Sequence, residues 1–374
     1  MGIRYTTELF PCDRERVNAL YGRDDAYGLF EKSFAHVLAY DGNTLAGAVR
    51  AISEGVETVL IVDLKAVDPH ADTEANRAED TAYTVRAGSP AEAEAYTENV
   101  TKGLLQELEA GFSGRRVMLY GSREQLAVLE SAGYGRCKNA WTLWREGLSE
   151  SDFLPAGYRF ENEFYTGREA GTQTGFPGRP GSAADGGRRA EDEASDSKEG
   201  RLDKAAHVAS RDELGARIIY PGSRSTATDE EINDLLTKAF FGRPHDVTKT
   251  AKAFAGSQYI GTAYDGKKLV GVARAVADGS RFATILNVAV DPQYQGLSIG
   301  KTLLLELAGR ITEAVVVLNT HPGAVGFYNK LKEFRRNRYV FEKHISSGEE
   351  PKRPENPEFR LRMFTPAGYR FPDE

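Results

Sequence analysis

Apolar residues in the second half of the chain occur in short runs, separated by segments with helical periodicity. The runs that predict strands lie at residues 217–220, 258–264, 268–277, 284–290, 314–318 and 339–342. A capping-box pattern begins at Thr228, and Ile232, Leu235 and Leu236 then fall on one face of a predicted helix. Further helices are predicted at residues 247–255, 301–310 and 323–332. This order predicts an α/β fold (α+β), in which a mixed, mostly antiparallel sheet is flanked by helices.

The first half of the chain repeats this pattern. The sequence Ala-Tyr-Asp-Gly occurs at residues 39–42 and again at residues 263–266. Three more matches follow in the same order, and they pair residues 66–69 with 289–292, 102–108 with 301–307, and 155–160 with 366–371. Four matches in one order are not expected by chance, and their spacing is far too long for a solenoid repeat. The sequence therefore predicts two tandem domains of the same fold.

Differences between the two copies define the predicted domain boundaries. The first domain is assigned to residues 1–165 and carries an insertion at residues 70–96, which is rich in Glu and Ala. The second domain is assigned to residues 211–374. Residues 166–210 between them consist mainly of Gly, Ser, Ala, Arg and acidic residues. Because such a segment buries too little apolar surface to offset its ordering entropy, it is predicted to be a flexible linker.

Composition narrows the classes of function. The chain has 48 Lys and Arg against 55 Asp and Glu, a net charge of −7, so no nucleic-acid partner is expected. No apolar run approaches the ~18 residues of a membrane span, and no secretory signal is visible, so a cytoplasmic location without a membrane partner is expected. The 2 cysteines are too few for a disulfide framework. No metal site is predicted, because metal-ligand spacing is lacking at His36, His70, His207, His245 and His344.

The segment after the predicted strand at residues 284–290 carries small residues just before a helix. Gly296, Ser298 and Gly300 let the backbone approach a ligand closely. The free N–H groups and the positive dipole end of the following helix suit a pyrophosphate. The pattern is neither a P-loop nor a dinucleotide fingerprint, and an ordinary glycine-containing turn is the alternative interpretation.

The order of elements together with this loop resembles the GNAT superfamily of acetyl-CoA-dependent N-acetyltransferases. The family loop reads Gln/Arg-x-x-Gly-x-Gly/Ala. Gln295 and Gly300 match it, whereas Ser298 replaces the usual middle glycine. The family's later Asn-x-x-Ala-x-x-x-Tyr pattern ends at Tyr328, with His321 in place of the asparagine. The resemblance implies two tandem GNAT-like domains, of which the first is degenerate.

The resemblance also implies roles for residues around the loop. Backbone groups of Val288, Ala289 and Val290 would pair with the pantetheine arm of acetyl-CoA, the cosubstrate, as an added strand does. Further contacts to acetyl-CoA would come from Gln295, Gly296, Leu297, Ser298, Ile299, Gly300, Lys301 and Phe327. Tyr328 would protonate, or hydrogen-bond, the departing thiolate, since a phenol with a pKa near ~10 is protonated at neutral pH. Ordinary packing of an aromatic side chain against the sheet is the alternative for Tyr328. His321 is a candidate base for the amine, with helix capping or a relay of waters as alternatives.

The first copy lacks these residues. The loop positions are occupied by Tyr96, Thr97, Asn99 and Thr101, and the position of the tyrosine falls on Val128 or Leu129. Neither aliphatic side chain donates a proton. The first domain is therefore interpreted as a degenerate copy that stabilises the second domain or shapes its substrate cleft.

These observations lead to one hypothesis and two alternatives. The hypothesis is an acetyl-CoA-dependent N-acetyltransferase whose second domain acetylates a small amine or an exposed protein amino group by direct transfer. One alternative is a catalytically weak CoA-binding regulatory or scaffold protein, and the other makes the first copy active, with its insertion as an acidic lid. Candidates for an acceptor pocket, with an apolar core stripe as the alternative interpretation, are Phe240, Phe241, His245, Phe254 and Tyr259. The two domains are expected to pair within one chain, as a monomer or in a homodimer.

Overall fold

The computed structural model describes residues 2–69, 89–145, 147–155, 158, 160, 217–221, 227–240, 245–345, 362–365 and 369–371. Within these ranges the chain forms two mixed sheets of 7 strands each, flanked by helices, which confirms the predicted fold class. The predicted linker at residues 166–210 lies outside the described residues, as do residues 70–88 of the predicted insertion. None of the described helices is long and apolar enough to cross a membrane.

The two halves of the chain contain equivalent elements in the same order. The strands of the first half are β1 (Arg4–Thr6), β2 (Ala35–Asp41), β3 (Thr44–Ser53), β4 (Thr58–Ala66), β5 (Arg116–Tyr120), β6 (Gly135–Arg136) and β7 (Ala140–Leu143). Its helices are α1 (Arg14–Tyr21), α2 (Ala26–Glu31), α3 (Pro90–Glu109) and α4 (Leu126–Ser131). The strands of the second half are β8 (Ile218–Ile219), β9 (Tyr259–Asp265), β10 (Lys268–Ala277), β11 (Phe282–Val290), β12 (Val315–Asn319), β13 (Phe334–Arg336) and β14 (Val340–His344). Its helices are α5 (Asp229–Ala239), α6 (Val247–Ala255), α7 (Ile299–Arg310) and α8 (Val325–Tyr328).

Caps and turn residues set the ends of several elements as the sequence predicts. The Thr228 hydroxyl accepts from the Glu231 backbone N–H, and the Glu231 carboxylate accepts from the Thr228 N–H, which starts α5. Ile232 and Leu236 on this helix are buried against the sheet. Gly266 joins β9 to β10 with φ +59°, a left-handed conformation that glycine adopts without a Cβ clash.

One predicted helix boundary is wrong. The helix predicted at residues 323–332 is a 3-10 turn followed by α8, which already ends at Tyr328. It ends early because the chain is extended again from Phe334, where β13 pairs with β7. The predicted insertion at residues 70–96 includes the start of α3, because Ser89 caps this helix and Pro90 occupies its first turn.

The two sheets exchange strands between the halves of the chain. The first sheet has the order β1-β2-β3-β4-β5-β14-β6, and the second has the order β13-β7-β12-β11-β10-β9-β8. Strand β14 from the second half thus lies between β5 and β6, and β7 from the first half lies between β12 and β13. The predicted domain boundaries at residues 165 and 211 therefore do not delimit the two sheets.

A buried arginine joins each half of the chain to the other. In the first half, Arg50 is fully buried and donates through Nε to Asp63, at 2.7 Å. Its Nη2 also lies 2.7 Å from Asp278, which belongs to the second half and is itself almost fully buried. Because both carboxylates are removed from water, the guanidinium compensates charges that would otherwise be strongly destabilising.

Arg274 makes the equivalent contacts from the second half. Its Nε donates to the side-chain oxygen of Asn287 at 2.7 Å, and its Nη2 lies 3.5 Å from Glu54 of the first half. The side chains of Arg274 and Glu54 are both buried. The two arginines thus make matching contacts from equivalent positions. The two halves are therefore related by an approximate twofold axis, as the duplication implies.

Described aromatic residues of the repeated segments at 155–160 and 366–371 also contact each other. The hydroxyl groups of Tyr158 and Tyr369 lie 2.8 Å apart. Phe160 and Phe371 pack beside them, with ring centroids 6.0 Å apart. The two copies of this segment therefore contact each other directly, each at its own equivalent position.

Replacing Arg50 with alanine is expected to lower the free energy of unfolding by ~3–5 kcal/mol, because two buried carboxylates lose their guanidinium. Urea unfolding followed by circular dichroism measures this change. The matched control is Arg23→Ala, which removes a partly exposed arginine 2.8 Å from the exposed Asp25 and should cost at most about 1 kcal/mol. Equal effects of the two substitutions would contradict the structural role of Arg50.

Candidate functional site

A cavity of about 1160 Å³ opens where β11 and β12 diverge. These parallel strands pair only from Phe282 and Val315 to Thr284 and Val317. Beyond that point the edge of β11 that faces β12 is open, and both Val288 and Val290 line the cavity. An open strand edge offers backbone N–H and C=O groups to an extended ligand.

The loop that follows β11 enters α7 without a side-chain cap. Ser298 at the N-cap position makes no capping hydrogen bond and has φ +61° and ψ 7°, in the left-handed region. Gly296 has φ +85°. The first N–H groups of α7 therefore have no side-chain acceptor at this cap, and Ile299, Gly300 and Lys301 of its first turn line the cavity. Such a helix start favours an anion.

Side chains anchor this loop from behind. Asp291 is buried and accepts from the Gln293 N–H at 2.9 Å, and the Lys268 ammonium lies 3.0 Å from its other oxygen. The Tyr294 hydroxyl donates to Asp265 at 2.9 Å. These contacts fix the backbone that leads into α7, so little ordering is needed when an anion binds there.

Most of the residues assigned to acetyl-CoA from the sequence line this cavity. They are Val288, Val290, Gln295, Gly296, Ser298, Ile299, Gly300, Lys301 and Phe327. Ala289 is buried on the other face of β11 and packs against α5, and Leu297 packs against the cluster around Ile299. The side chains of these two residues are therefore not part of the cavity wall. Gln295 donates its side-chain N–H to the Val290 carbonyl at 3.2 Å, so it covers one acceptor of the open edge.

Tyr328 lies on the cavity wall in a largely apolar setting. Only 5% of the residue is exposed, and its ring stacks on Trp141 with centroids 5.8 Å apart. Burial raises the pKa of the Tyr328 phenol, while a hydrogen bond with the Thr320 side chain opposes this shift. The phenol thus remains protonated at neutral pH. Trp141 belongs to β7, so a strand from the first half positions this tyrosine.

His321 also lines the cavity, but its ring makes a capping contact. Its Nδ1 accepts from the Gly323 N–H at 3.1 Å at the start of the 3-10 turn. A neutral imidazole that accepts at Nδ1 carries its proton on Nε2. In this tautomer the ring has no second lone pair with which to take a proton, so the geometry favours the capping alternative over the proposed base.

The first half of the chain forms part of the cavity wall. The contributing residues are Val56, Glu57, Thr58, Gly114 and Arg116. The guanidinium of Arg116 lies 2.6 Å from Glu342, and Glu342 accepts from the Asn319 side chain at 2.7 Å. This chain of contacts joins the first half to the end of β12. No local sequence signal marks these residues, because they reach the cavity only through the packing of the two halves.

Of the predicted acceptor-pocket residues, Phe240 lines the cavity. Phe254 is buried in the core between α5 and the sheet, and the Tyr259 hydroxyl donates to Glu313 at 3.2 Å. His245 packs on the Phe240 ring, with centroids 5.9 Å apart. Phe241 lies outside the described residues.

Among the described residues, the equivalent place in the first half lacks the features of the cavity. Helix α3 begins at Pro90, ten residues before Val100, which is the residue that matches Ile299 at the start of α7. Ser89 caps this longer helix, so the uncapped helix start found in α7 has no counterpart there. The side-chain amide of Gln125 donates to the carbonyl of Leu64 at 2.7 Å, and Leu64 is the residue that matches Val288. Val128 and Leu129, which replace the tyrosine, are buried in the core.

Residues 229–334 match the family model described as the acetyltransferase (GNAT) family. The second half of the chain contains a GNAT domain. The match covers the elements from α5 to the start of β13, and it includes the loop before α7 and Tyr328. The resemblance inferred from the sequence is thus confirmed.

Several named proteins are similar to parts of this chain. The uncharacterized N-acetyltransferase ycf52 of Pyropia yezoensis is 40% identical over 67 residues, which are 17% of this chain and 38% of that protein. A probable acetyltransferase, TAP2, of Glycine max is 30% identical over 122 residues, 29% of this chain and 49% of that protein. The matches therefore span half or less of the length of these relatives. A GCN5-related N-acetyltransferase from Sphaerobacter thermophilus has a TM-score of 0.42 and 12% identity, over 92% of this chain and 96% of that chain.

Replacing Ser298 with glycine is expected to raise the free energy of unfolding by about 0.5–1 kcal/mol, because glycine removes the Cβ that disfavours a left-handed backbone. Ser298→Ala keeps the Cβ and should give no such gain. Thermal unfolding of both variants measures the difference. A gain of equal size in the alanine variant would show that the hydroxyl, and not the backbone conformation, carries the cost.

Proposed function

We propose that the chain is an acetyl-CoA-dependent N-acetyltransferase that acetylates a small amine or an exposed protein amino group in its second half. The observation that carries the proposal is the combination of an uncapped helix start and an open strand edge in one cavity, with a buried phenol on its wall. These three features suit the diphosphate, the pantetheine amides and the sulfur of one extended cosubstrate.

The residues present fit acetyl-CoA by charge and by hydrogen bonding. The N–H groups at the start of α7, with Lys301, would bind the diphosphate. Backbone groups of Val288 and Val290 would pair with the pantetheine amides once the Gln295 side chain leaves the Val290 carbonyl. The thioester would then lie between β11 and the end of β12, next to Tyr328.

Direct transfer requires that the acceptor nitrogen loses a proton and that the leaving thiolate gains one. The amine nitrogen forms a bond to the thioester carbon, the carbon–sulfur bond breaks, and the leaving thiolate takes the phenol proton of Tyr328. The amine loses one proton to water, and a proton from solvent restores the phenol. Since an alkylammonium with a pKa near ~10 is about one part in 10³ neutral at pH 7, deprotonation of the acceptor limits the rate at low pH.

Tyr328→Phe is expected to lower kcat by about 10²-fold, because the ring is kept and only the proton donor is lost. The affinity for acetyl-CoA, measured by calorimetry, should be unchanged. Since burial raises the phenol pKa, the wild-type kcat should not fall from loss of this proton up to a pH of about 10. Unchanged turnover in the variant would contradict the assigned role of Tyr328.

His321→Asn separates capping from base catalysis, because asparagine caps a helix start equally well. We expect kcat/KM to change by less than about threefold, with the same pH profile. If the imidazole were the base, the loss would be roughly 10²-fold or more, and the rise in rate near pH ~6.5 would disappear.

Binding of acetyl-CoA without transfer to any amine would instead favour a regulatory or scaffold protein of the same fold. Two features agree with that alternative, namely the strained Ser298 and the covered carbonyl of Val290. Calorimetry with acetyl-CoA, combined with release of free thiol in the presence of an amine panel, distinguishes the two functions. The capped start of α3 and the Gln125 amide at the Leu64 carbonyl argue against activity in the first copy.

A further inference from the structure

The wall that the first half contributes to the cavity carries a carboxylate. Among the described residues that line the cavity, Glu57 is the only acidic one. It lies in the turn between β3 and β4, and its side chain is exposed. Two basic residues of the same cavity are already paired, since Arg274 contacts Glu54 and Arg116 contacts Glu342.

The backbone of Glu57 is fixed by the contact between the two halves. The Glu54 carboxylate accepts from the backbone N–H groups of Glu57 at 3.0 Å and Thr58 at 2.9 Å. The same Oε1 atom lies 3.5 Å from Arg274 of the second half. The Glu57 carbonyl accepts from the Arg116 N–H at 3.0 Å. Glu57 is therefore held against the cavity by the same interactions that join the halves.

The duplication of the chain indicates which position of the second half Glu57 faces. Arg281 occupies the position in the second half that matches Glu57, and its guanidinium lies 3.5 Å from Asp63 of the first half. Asp63 matches Asn287, and both have φ +50° at a β-bulge of their strand. The turn residue of the second half thus contacts the bulge residue of the first. Glu57 and Asn287 form the equivalent pair of positions, and both line the cavity.

The charges that act on Arg274 agree with this placement of Glu57. Burial lowers the pKa of Arg274, while the charges of Glu54 and Glu57 oppose the shift. The carboxylate of Glu57 is therefore close enough to act on a guanidinium that itself contacts Asn287. This places a negative charge near the divergence of β11 and β12, where the acceptor nitrogen must approach.

We propose that Glu57 binds the ammonium group of the acceptor, so that the first half supplies the specificity for cationic primary amines. The inference rests on the acetyl transfer proposed above and names its acceptor class. Phe240 on the same cavity wall suits an apolar or aromatic substituent of the amine. The ammonium is held at the carboxylate before it loses a proton to water.

The test compares Glu57→Gln with the matched control Glu15→Gln in the full-length chain. Glu15 is an exposed glutamate of α1 and does not line the cavity. The probes are 2-phenylethylamine and butylamine, and their binding to the CoA-saturated protein is followed by NMR titration. The same variants are assayed for KM with each amine, and calorimetry gives their Kd for acetyl-CoA.

We expect Glu57→Gln to weaken amine binding and raise the amine KM by roughly ten- to a hundredfold, because a charged hydrogen bond is lost. The Kd for acetyl-CoA and the melting temperature should stay unchanged, and Glu57→Asp should retain part of the amine affinity. Glu15→Gln should match the wild type.

Unchanged amine affinity in Glu57→Gln, or an equal loss of acetyl-CoA affinity, would overturn the assignment of Glu57. So would a wild-type protein that binds neither amine. If the wild type binds the amines through Glu57 but releases no acetyl group to them, the proposed transferase activity fails while the ammonium site stands. If the wild type acetylates the amines and Glu57→Gln leaves their KM unchanged, the transferase activity stands while the ammonium site fails.

Discussion

Each sheet of this protein is completed by a strand from the other half of the chain, and this exchange determines the rest of the structure. Without β7 the second sheet would expose the edge of β12, and without β14 the first would expose the edge of β5. The buried guanidinium groups of Arg50 and Arg274 then connect the halves a second time. Because buried charges need their partners, the halves are stable in this arrangement only together.

The exchange also gives the degenerate copy a structural reason to persist. Trp141 on β7 packs against Tyr328, and the turn that contains Glu57 closes one side of the cavity. Residues of the first half thus form part of the cavity in the second half. Tyr158 and Tyr369, which belong to the repeated segments, add a further contact between the two halves.

Helix caps, turns and loops that depend on the local sequence pattern could be predicted. Features that depend on how the two halves pack together could not. The cap at Thr228, the turn at Gly266 and the loop with small residues before α7 follow from short-range chemistry, and the structure contains them. The exchange of β7 and β14 could not be inferred, because an apolar strand has the same pattern in either sheet. The wall residue Glu57 was missed for the same reason, since it reaches the cavity only across the interface.

Comparison of the two copies separates features of the fold from features of the chemistry. Asp63 and Asn287 both have φ +50° and both contact the buried arginine of their own half, so the strained bulge belongs to the fold. The uncapped start of α7 and the tyrosine at its cavity occur in the second half alone, among the described residues. In the first half, the matching helix is longer and capped by Ser89, and the Gln125 side chain donates to the Leu64 carbonyl. The bulge, the buried arginine and the exchanged strand are thus common to both halves, whereas the uncapped helix start is not, which indicates that these three features belong to the fold and not to the candidate site.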